Sequence, residues 1–355
     1  IYRVAMSVLA VGASLLTLLV MRPLTHLVPV LILVPTLGAI WLLPAWPHDH
    51  LVPGLFRARE PMRYTFSGPS DRFEHRRRGD PIFYQDGPTS SVAVVEYENK
   101  PETRSIIVNG KPDGSLQGDY PTMALTALIP ALIAERHERG FVIGLGTGVT
   151  AGEFAALEGM RKVTVAEISR SVIVANPLFA AGNLGASTNP QLELIRGDAY
   201  RTLLRSTERY DVIASEPSNP WVAGVEMLYT REFLEAARSR LAPGGVFAQG
   251  FHVYETDREV VNLILRSYVE VFPHVAVWYT NGPDLLLLGM DRFDRALDVR
   301  ALESRLRQPD FTAAFGRVES ERFPQLLAHG PIPFGTLHAE DLPGPIHTCR
   351  RPVHR

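Results

Sequence analysis

The chain has 355 residues, enough for one large domain or two ordinary ones with an ample core. Its 36 Lys and Arg against 38 Asp and Glu leave a net charge of −2, so no global basic field argues for a nucleic-acid partner. A single cysteine, Cys349, excludes a disulfide framework and a cysteine metal site and is compatible with a reducing compartment.

Charge is unevenly spread. Between Val4 and Trp46 the only charged residue is Arg22. Val4–Met21 supplies 18 apolar or small residues and Leu24–Trp46 supplies 23, each able to cross a hydrocarbon layer of about 30 Å. Residues 1–47 therefore predict a transmembrane helical hairpin, with Pro29 and Pro35 kinking the second helix. Because the chain opens on Ile, this hairpin is expected to be part of a larger membrane region. The alternative is a signal peptide followed by a buried helix, but no small-residue cleavage pattern separates the two runs. Residues 48–79 form a basic juxtamembrane linker carrying Arg57, Arg59, Arg63, Arg72, Arg76, Arg77 and Arg78. The positive-inside rule then predicts a multi-pass inner-membrane protein with the lipid bilayer as a partner and the long C-terminal part in the cytoplasm. The Arg76–Arg78 run reads as a solvated or headgroup-facing surface.

Residues 80–120 read as a small β domain, with strands at Pro81–Tyr84, Ser91–Tyr97 and Arg104–Val108 and a hairpin turn at Asn109-Gly110. Residues 121–290 alternate between strand and helix. Phe141-Val142-Ile143 runs into glycines at Gly144, Gly146 and Gly148, and a helix-like segment follows, so this reads as strand, tight turn and helix start. Further apolar runs end in Glu167, 23 residues beyond Gly144; in Gly197-Asp198-Ala199; in Ser215-Glu216-Pro217-Ser218-Asn219-Pro220; and in Gln249. The expected fold is α/β, a Rossmann-like sheet of the methyltransferase type. Parallel sheets bind ligands at the carboxyl ends of their strands, which is where these polar residues fall. Thr256–Val271 is helical, and Val275–Tyr279 with Leu285–Gly289 form a closing antiparallel pair. Residues 291–355 are a C-terminal extension with helices at Asp294–Arg307 and Glu319–Leu327 and a Pro-rich end read as loop.

The edge suits a nucleoside. A carboxylate accepts two hydrogen bonds side by side, as a ribose diol requires, so Glu167 is either a ribose ligand or a solvent-exposed strand end. Asp198 either contacts the base or caps the helix beginning at Ala199, and the two roles are compatible. Glu216 is either a catalytic carboxylate or an ordinary loop acid. Trp221 and Tyr279 could wall a cation, or pack in the core. The histidines show no metal-ligand spacing, so no metal is expected; His252 could reach the pocket or be a satisfied surface or core histidine.

These motifs resemble the spermidine synthase (polyamine aminopropyltransferase) family in its membrane-fused bacterial form, over about Phe83 to Met290. Phe83-Tyr84-Gln85-Asp86 is similar to the segment whose glutamine lies near the donor. Ile107-Val108-Asn109-Gly110 resembles the Leu-Asp-Gly hairpin and Asp119 the Asp-Glu that follows it, but Pro121-Thr122-Met123 stands in place of Tyr-His-Glu. Gly144-Leu145-Gly146-Thr147-Gly148 is similar to the Gly-Gly-Gly-Asp-Gly loop, with Thr147 for aspartate. Ser215 to Pro220 falls on Ser-Asp-x-x-Asp-Pro, and Gln249 and Tyr279 have counterparts on the acceptor side.

The resemblance implies S-adenosylmethionine or its decarboxylated form as a substrate. It would be held by Gln85, Asp119, Gly144, Gly146, Thr147, Gly148, Glu167, Asp198, Ala199 and Gln249. Glu216, Asn219 and Tyr279 would be the catalytic residues, and a homodimer is a further expectation. Aminopropyl transfer needs an uncharged amine, so a carboxylate must take its proton, and Glu216 is placed for this. Asn219 cannot offset a second ammonium, and Thr147 would tolerate a carboxylate, so intact S-adenosylmethionine is a second candidate donor, cleaved within the molecule. Methyl transfer is a third reading on the same fold, and a non-catalytic nucleoside sensor a fourth.

Overall fold

The computed structural model describes residues 2–20, 27–43, 52, 79–220, 222, 224–254, 256–282, 284–292, 298–330 and 332–349. The chain divides into two compact units, Ile1–His50 and Leu51–Arg355.

The first unit is a pair of helices, α1 (Tyr2–Val20) and α2 (Leu27–Leu42). The Arg3 guanidinium reaches the Leu43 carbonyl, so the two run antiparallel. Thr17 and Thr36 donate to the carbonyls of Ala13 and Ile32, both at 2.7 Å, which satisfies each hydroxyl within its own helix. Leu9, Leu19, Leu31 and Leu42 are exposed. Among the described residues only α1, over Arg3–Val20, is long and apolar enough to cross a membrane. Helix α2 has 16 residues and continues through Pro35, and residues 24–26 and 44–46 of the second expected span lie outside the described residues. The Arg22-Pro23 turn and the arginines from Arg57 to Arg78 lie outside the described residues.

The second unit begins with an antiparallel sheet of β1 (Asp80–Asp86), β2 (Ser91–Tyr97), β3 (Lys100–Val108) and β4 (Lys111–Ser115), in that order. Two-residue turns with positive φ close two of its hairpins. Asn109 and Gly110 (φ 50° and 78°) are the expected signal, whereas Glu98 and Asn99 (φ 56° and 54°) adopt the same form without a glycine.

The larger sheet holds β5 (Arg139–Ile143), β6 (Lys162–Glu167), β7 (Leu192–Arg196), β8 (Tyr210–Ser215), β9 (Leu241–His252), β10 (His274–Tyr279) and β11 (Asp284–Met290). Its order is β10-β11-β9-β8-β5-β6-β7, with β5 to β9 parallel and β11 antiparallel to both its neighbours. The chain winds from β5 out to β7, then returns to the other side of β5 as β8. The crevice at the carboxyl ends of β5 and β8 is therefore the topological switch point, where such sheets take ligands.

Alternation along each strand feeds two cores. Val142, Val212, Val246 and Ala248 face α3 (Tyr120–Ile133) and α4 (Val149–Ala155), while Phe141, Ile213, Phe247 and Phe251 face α7 (Arg231–Ser239) and α8 (Arg258–Val271). Val92, Val94 and Ile106 of the small sheet join the α3 side. So do Phe311 and Phe315 of α10 (Pro309–Gly316), a helix lying between α9 (Val299–Leu306) and α11 (Phe323–Ala328) that the sequence pattern does not predict. The sequence-derived boundaries at 120 and 290 thus fall inside one compact unit built on a shared core.

Candidate active site

The glycine loop joins β5 to α4. Gly144, Gly146 and Gly148 all have positive φ (84°, 49° and 86°). A Cβ at 144 or 146 would meet no protein atom within 4 Å, so that side of the loop is open to a ligand, whereas one at 148 would come 2.7 Å from Asn176 Nδ2. Asn176 and Asn183, both buried, donate to the carbonyls of Gly146 (3.2 Å) and Thr147 (3.0 Å) and hold the loop from behind. Glu167, at the tip of β6, accepts the backbone N–H of Leu145 at 2.8 Å and of Ser169 at 2.7 Å. Burial, working against these backbone donors, holds its carboxyl above the usual carboxylate range. Each oxygen keeps a lone pair, so the group braces the loop and can still take a diol.

Asp198 caps α6 (Ala199–Arg205) through Arg201 N–H at 2.8 Å, and Ala199 is that helix's first residue. Thr147 turns its hydroxyl onto Met123 Sδ (3.1 Å) and is almost wholly buried, so it offers the cleft backbone rather than side chain. The expected effect of Thr147 on the donor's charged end therefore has no side-chain route. Gln85, near the end of β1, holds a buried Oε1 with no hydrogen-bond partner, an acceptor left for a ligand.

On the other side of the switch point Glu216 follows β8. It is half-buried, accepts the Thr150 hydroxyl at 3.2 Å, and passes over Gly250, where a Cβ would approach its Cγ to 3.4 Å. Burial pushes its carboxyl up to about 8, and the nearby Asp119 and Asp284 push the same way. Asp119, at the N-cap position of α3, accepts the Ser115 hydroxyl at 2.8 Å. Asn219 is fully buried; its Oδ1 accepts the Tyr254 hydroxyl at 3.4 Å and its Nδ2 has no partner. Trp221 lies outside the described residues.

Gln249 and Tyr279 stand apart from this group. The Gln249 amide donates to the Leu228 carbonyl (2.9 Å) and accepts from the Tyr268 hydroxyl (2.9 Å). It thereby pins the segment Glu226–Tyr229 on the α8 face of β9. Tyr279 is 47% exposed at the end of β10, three strand positions from β8. At about 4.8 Å per strand that is roughly 14 Å along the sheet.

Two networks at the site join residues far apart in sequence. Lys111, buried at the start of β4, bonds Asp113 (2.5 Å) and Ser218 (2.7 Å), tying the small sheet to the loop after β8. Glu153 of α4, fully buried, is held by the Arg317 guanidinium and the Tyr120 hydroxyl.

Residues 124–291 match the spermine/spermidine synthase domain. The chain is similar to polyamine aminopropyltransferases and to a spermidine synthase of Dictyostelium discoideum. It is 27% identical over 224 residues to polyamine aminopropyltransferase 2 of Pseudomonas aeruginosa, covering 62% of this chain and 63% of that one. It is 32% identical over 145 residues to the Nitrosomonas europaea polyamine aminopropyltransferase, covering 41% and 44%. With the first of these relatives, then, the match spans under two thirds of the relative's length. The crystal structure of spermidine synthase from Thermotoga maritima shares the fold at a TM-score of 0.53 and 17% identity, covering 67% of this chain and 88% of that one.

Proposed function

We propose that this chain transfers an aminopropyl group from decarboxylated S-adenosylmethionine to an amine and releases methylthioadenosine. The observation that carries the reading is the meeting, at one switch point, of an open glycine loop braced by Glu167 with the half-buried Glu216 across the crevice. Glycines without Cβ neighbours admit the nucleoside, the free lone pairs of Glu167 suit its ribose, and Asp198 lies on the next strand for the base. Gln85 and Asn219, each with a buried orphan atom, gain partners when substrates bind. The methylthioadenosine leaves uncharged and needs no acid. What the site must supply is alignment of the amine and a place for its proton.

The purified protein, incubated with decarboxylated and with intact S-adenosylmethionine, with and without putrescine, and analysed by mass, tests this. The reading predicts methylthioadenosine and an aminopropylated amine from the decarboxylated donor. S-adenosylhomocysteine would instead indicate methyl transfer, and tight nucleoside binding without turnover would indicate a sensor.

Asn219 favours a second reading. A neutral amide where the resemblance puts an aspartate gives no counter-charge to a diamine, so cleavage of intact S-adenosylmethionine within the molecule is the alternative. It predicts methylthioadenosine in the absence of any acceptor. We further propose that the α1–α2 pair lies in the bilayer of the inner membrane, with the catalytic unit in the cytoplasm. The support is the apolar exposed surface of α1 and the arginines of residues 57–78. A homodimer belongs to the same proposal, and detergent-extracted protein on a light-scattering column tests it.

A further inference from the structure

His252 and Asp284 form a dyad at the rim of the crevice. They are Cα partners across β9 and β11, at the carboxyl end of β9, and Nδ1 of the imidazole lies 2.6 Å from Asp284 Oδ1. The second carboxylate oxygen accepts the Thr122 hydroxyl at 3.0 Å, and Thr122 is itself paired with Thr280 at 3.2 Å. A carboxylate only accepts, so Nδ1 carries a proton, and in the neutral imidazole Nε2 keeps its lone pair. Gly250 and His252 share one face of β9, and Glu216 crosses that face at Gly250, so the imidazole is the next side chain along from Glu216. The Tyr254 ring lies 5.3 Å from the imidazole, and its hydroxyl reaches Asn219. The groups around the dyad are thus Asp284 from β11, Thr122 and Asp119 from α3, Thr280 after β10, Glu216 and Asn219 after β8, and Tyr254.

The proposed transfer needs a proton acceptor. An amine of pKa near 10 arrives mostly as an ammonium at neutral pH. Glu216, pushed up to about 8, mostly carries its own proton there and so serves better to orient the nitrogen than to deprotonate it.

We propose that His252, oriented by Asp284, takes the proton from the attacking amine. This rests on the transfer reading above. Nε2 accepts one proton from the ammonium, and the freed nitrogen pair forms the new N–C bond as the C–S bond breaks. The sulfur keeps that electron pair and leaves as an uncharged thioether. The imidazolium then returns its proton to water, so the net products are methylthioadenosine, the alkylated ammonium and one proton. Asp284 is a positioning residue, which fixes the tautomer and stabilises the imidazolium.

The test is kcat against pH for the wild type, His252→Gln and Asp284→Asn, with methylthioadenosine binding measured in each as the control for an intact donor site. At pH 7, H252Q should lose at least about 100-fold in kcat, the range of general-base catalysis, while binding methylthioadenosine within about threefold of wild type. Its residual rate should climb tenfold per pH unit toward the amine pKa, since substrate must now arrive deprotonated, whereas the wild-type rate levels off earlier. D284N, which leaves the imidazole in place, should lose about tenfold in kcat with little change in acceptor KM. Wild-type turnover with H252Q within threefold of it, or with the pH profile unmoved in both variants, overturns the assignment and leaves the transfer reading standing. A wild type that releases no methylthioadenosine from either donor overturns both.

Discussion

The two sides of the crevice are built differently. On the side proposed above for the nucleoside, the glycine loop is braced at every turn, by Glu167 in front and by Asn176 and Asn183 behind, and Asp198 is committed to its helix. On the side proposed above for the acceptor, Glu216 sits half-buried beside two other acids, Asn219 has an orphan amide, and residues arrive from β4, α3, the loops after β8 and β10, and β9. The nucleoside side is therefore a preformed mould, whereas the acceptor side holds unmet hydrogen-bonding capacity that substrate must complete. Rigid recognition of the part common to all adenosyl donors, with an adjustable partner site opposite, is the arrangement expected where the acceptor is what varies.

The contrast breaks most visibly from behind. Arg317→Met strands the fully buried Glu153 carboxylate on α4, directly after the glycine loop, and should cost about 3 kcal/mol in denaturant unfolding. If stability is unchanged, the nucleoside side is not held by this pair. Next, Glu167→Ala removes two charge-assisted bonds to the loop and the diol acceptor, and should weaken methylthioadenosine binding about 100-fold by calorimetry. A loss of only a fewfold would show the mould forming without it.

Glu216→Gln sharpens the acceptor side through pH. Because the folded-state carboxyl sits at about 8, above its unfolded value near 4.5, the native state holds the extra proton in between. Wild-type stability therefore falls as pH rises from about 4.5 to 8, while the variant lacks this dependence. Its melting temperature should match the wild type near pH 5 and exceed it by several degrees at pH 8, as read by scanning calorimetry. The smallest effect is expected from Lys111→Met, which frees Ser218 from β4: acceptor KM should rise about threefold with methylthioadenosine affinity unmoved.

Sequence made the nucleoside side legible because its signals are local. Glycines at 144, 146 and 148 need positive φ, and an acid at the next strand's end follows at a fixed interval. The acceptor side depends on pairs distant in the chain, Lys111 with Ser218 and His252 with Asp284, and so does the brace behind the glycine loop, Glu153 with Arg317. No periodicity announces such pairs. Thr147 shows the converse limit. Its position in the loop was readable, but the turn of its hydroxyl toward Met123 depends on how α3 packs. The Glu98-Asn99 turn escaped because it lacks glycine, and α10 because its start follows α9 by only a few residues.

The most direct measurement is a crystal structure with methylthioadenosine bound. The account predicts ribose hydroxyls within hydrogen-bonding distance of Glu167, the base beside Asp198, and the thioether sulfur facing the crevice shared by Glu216 and His252. A nucleoside seated away from the glycine loop, or turned so that its sulfur faces away from Glu216, would contradict it.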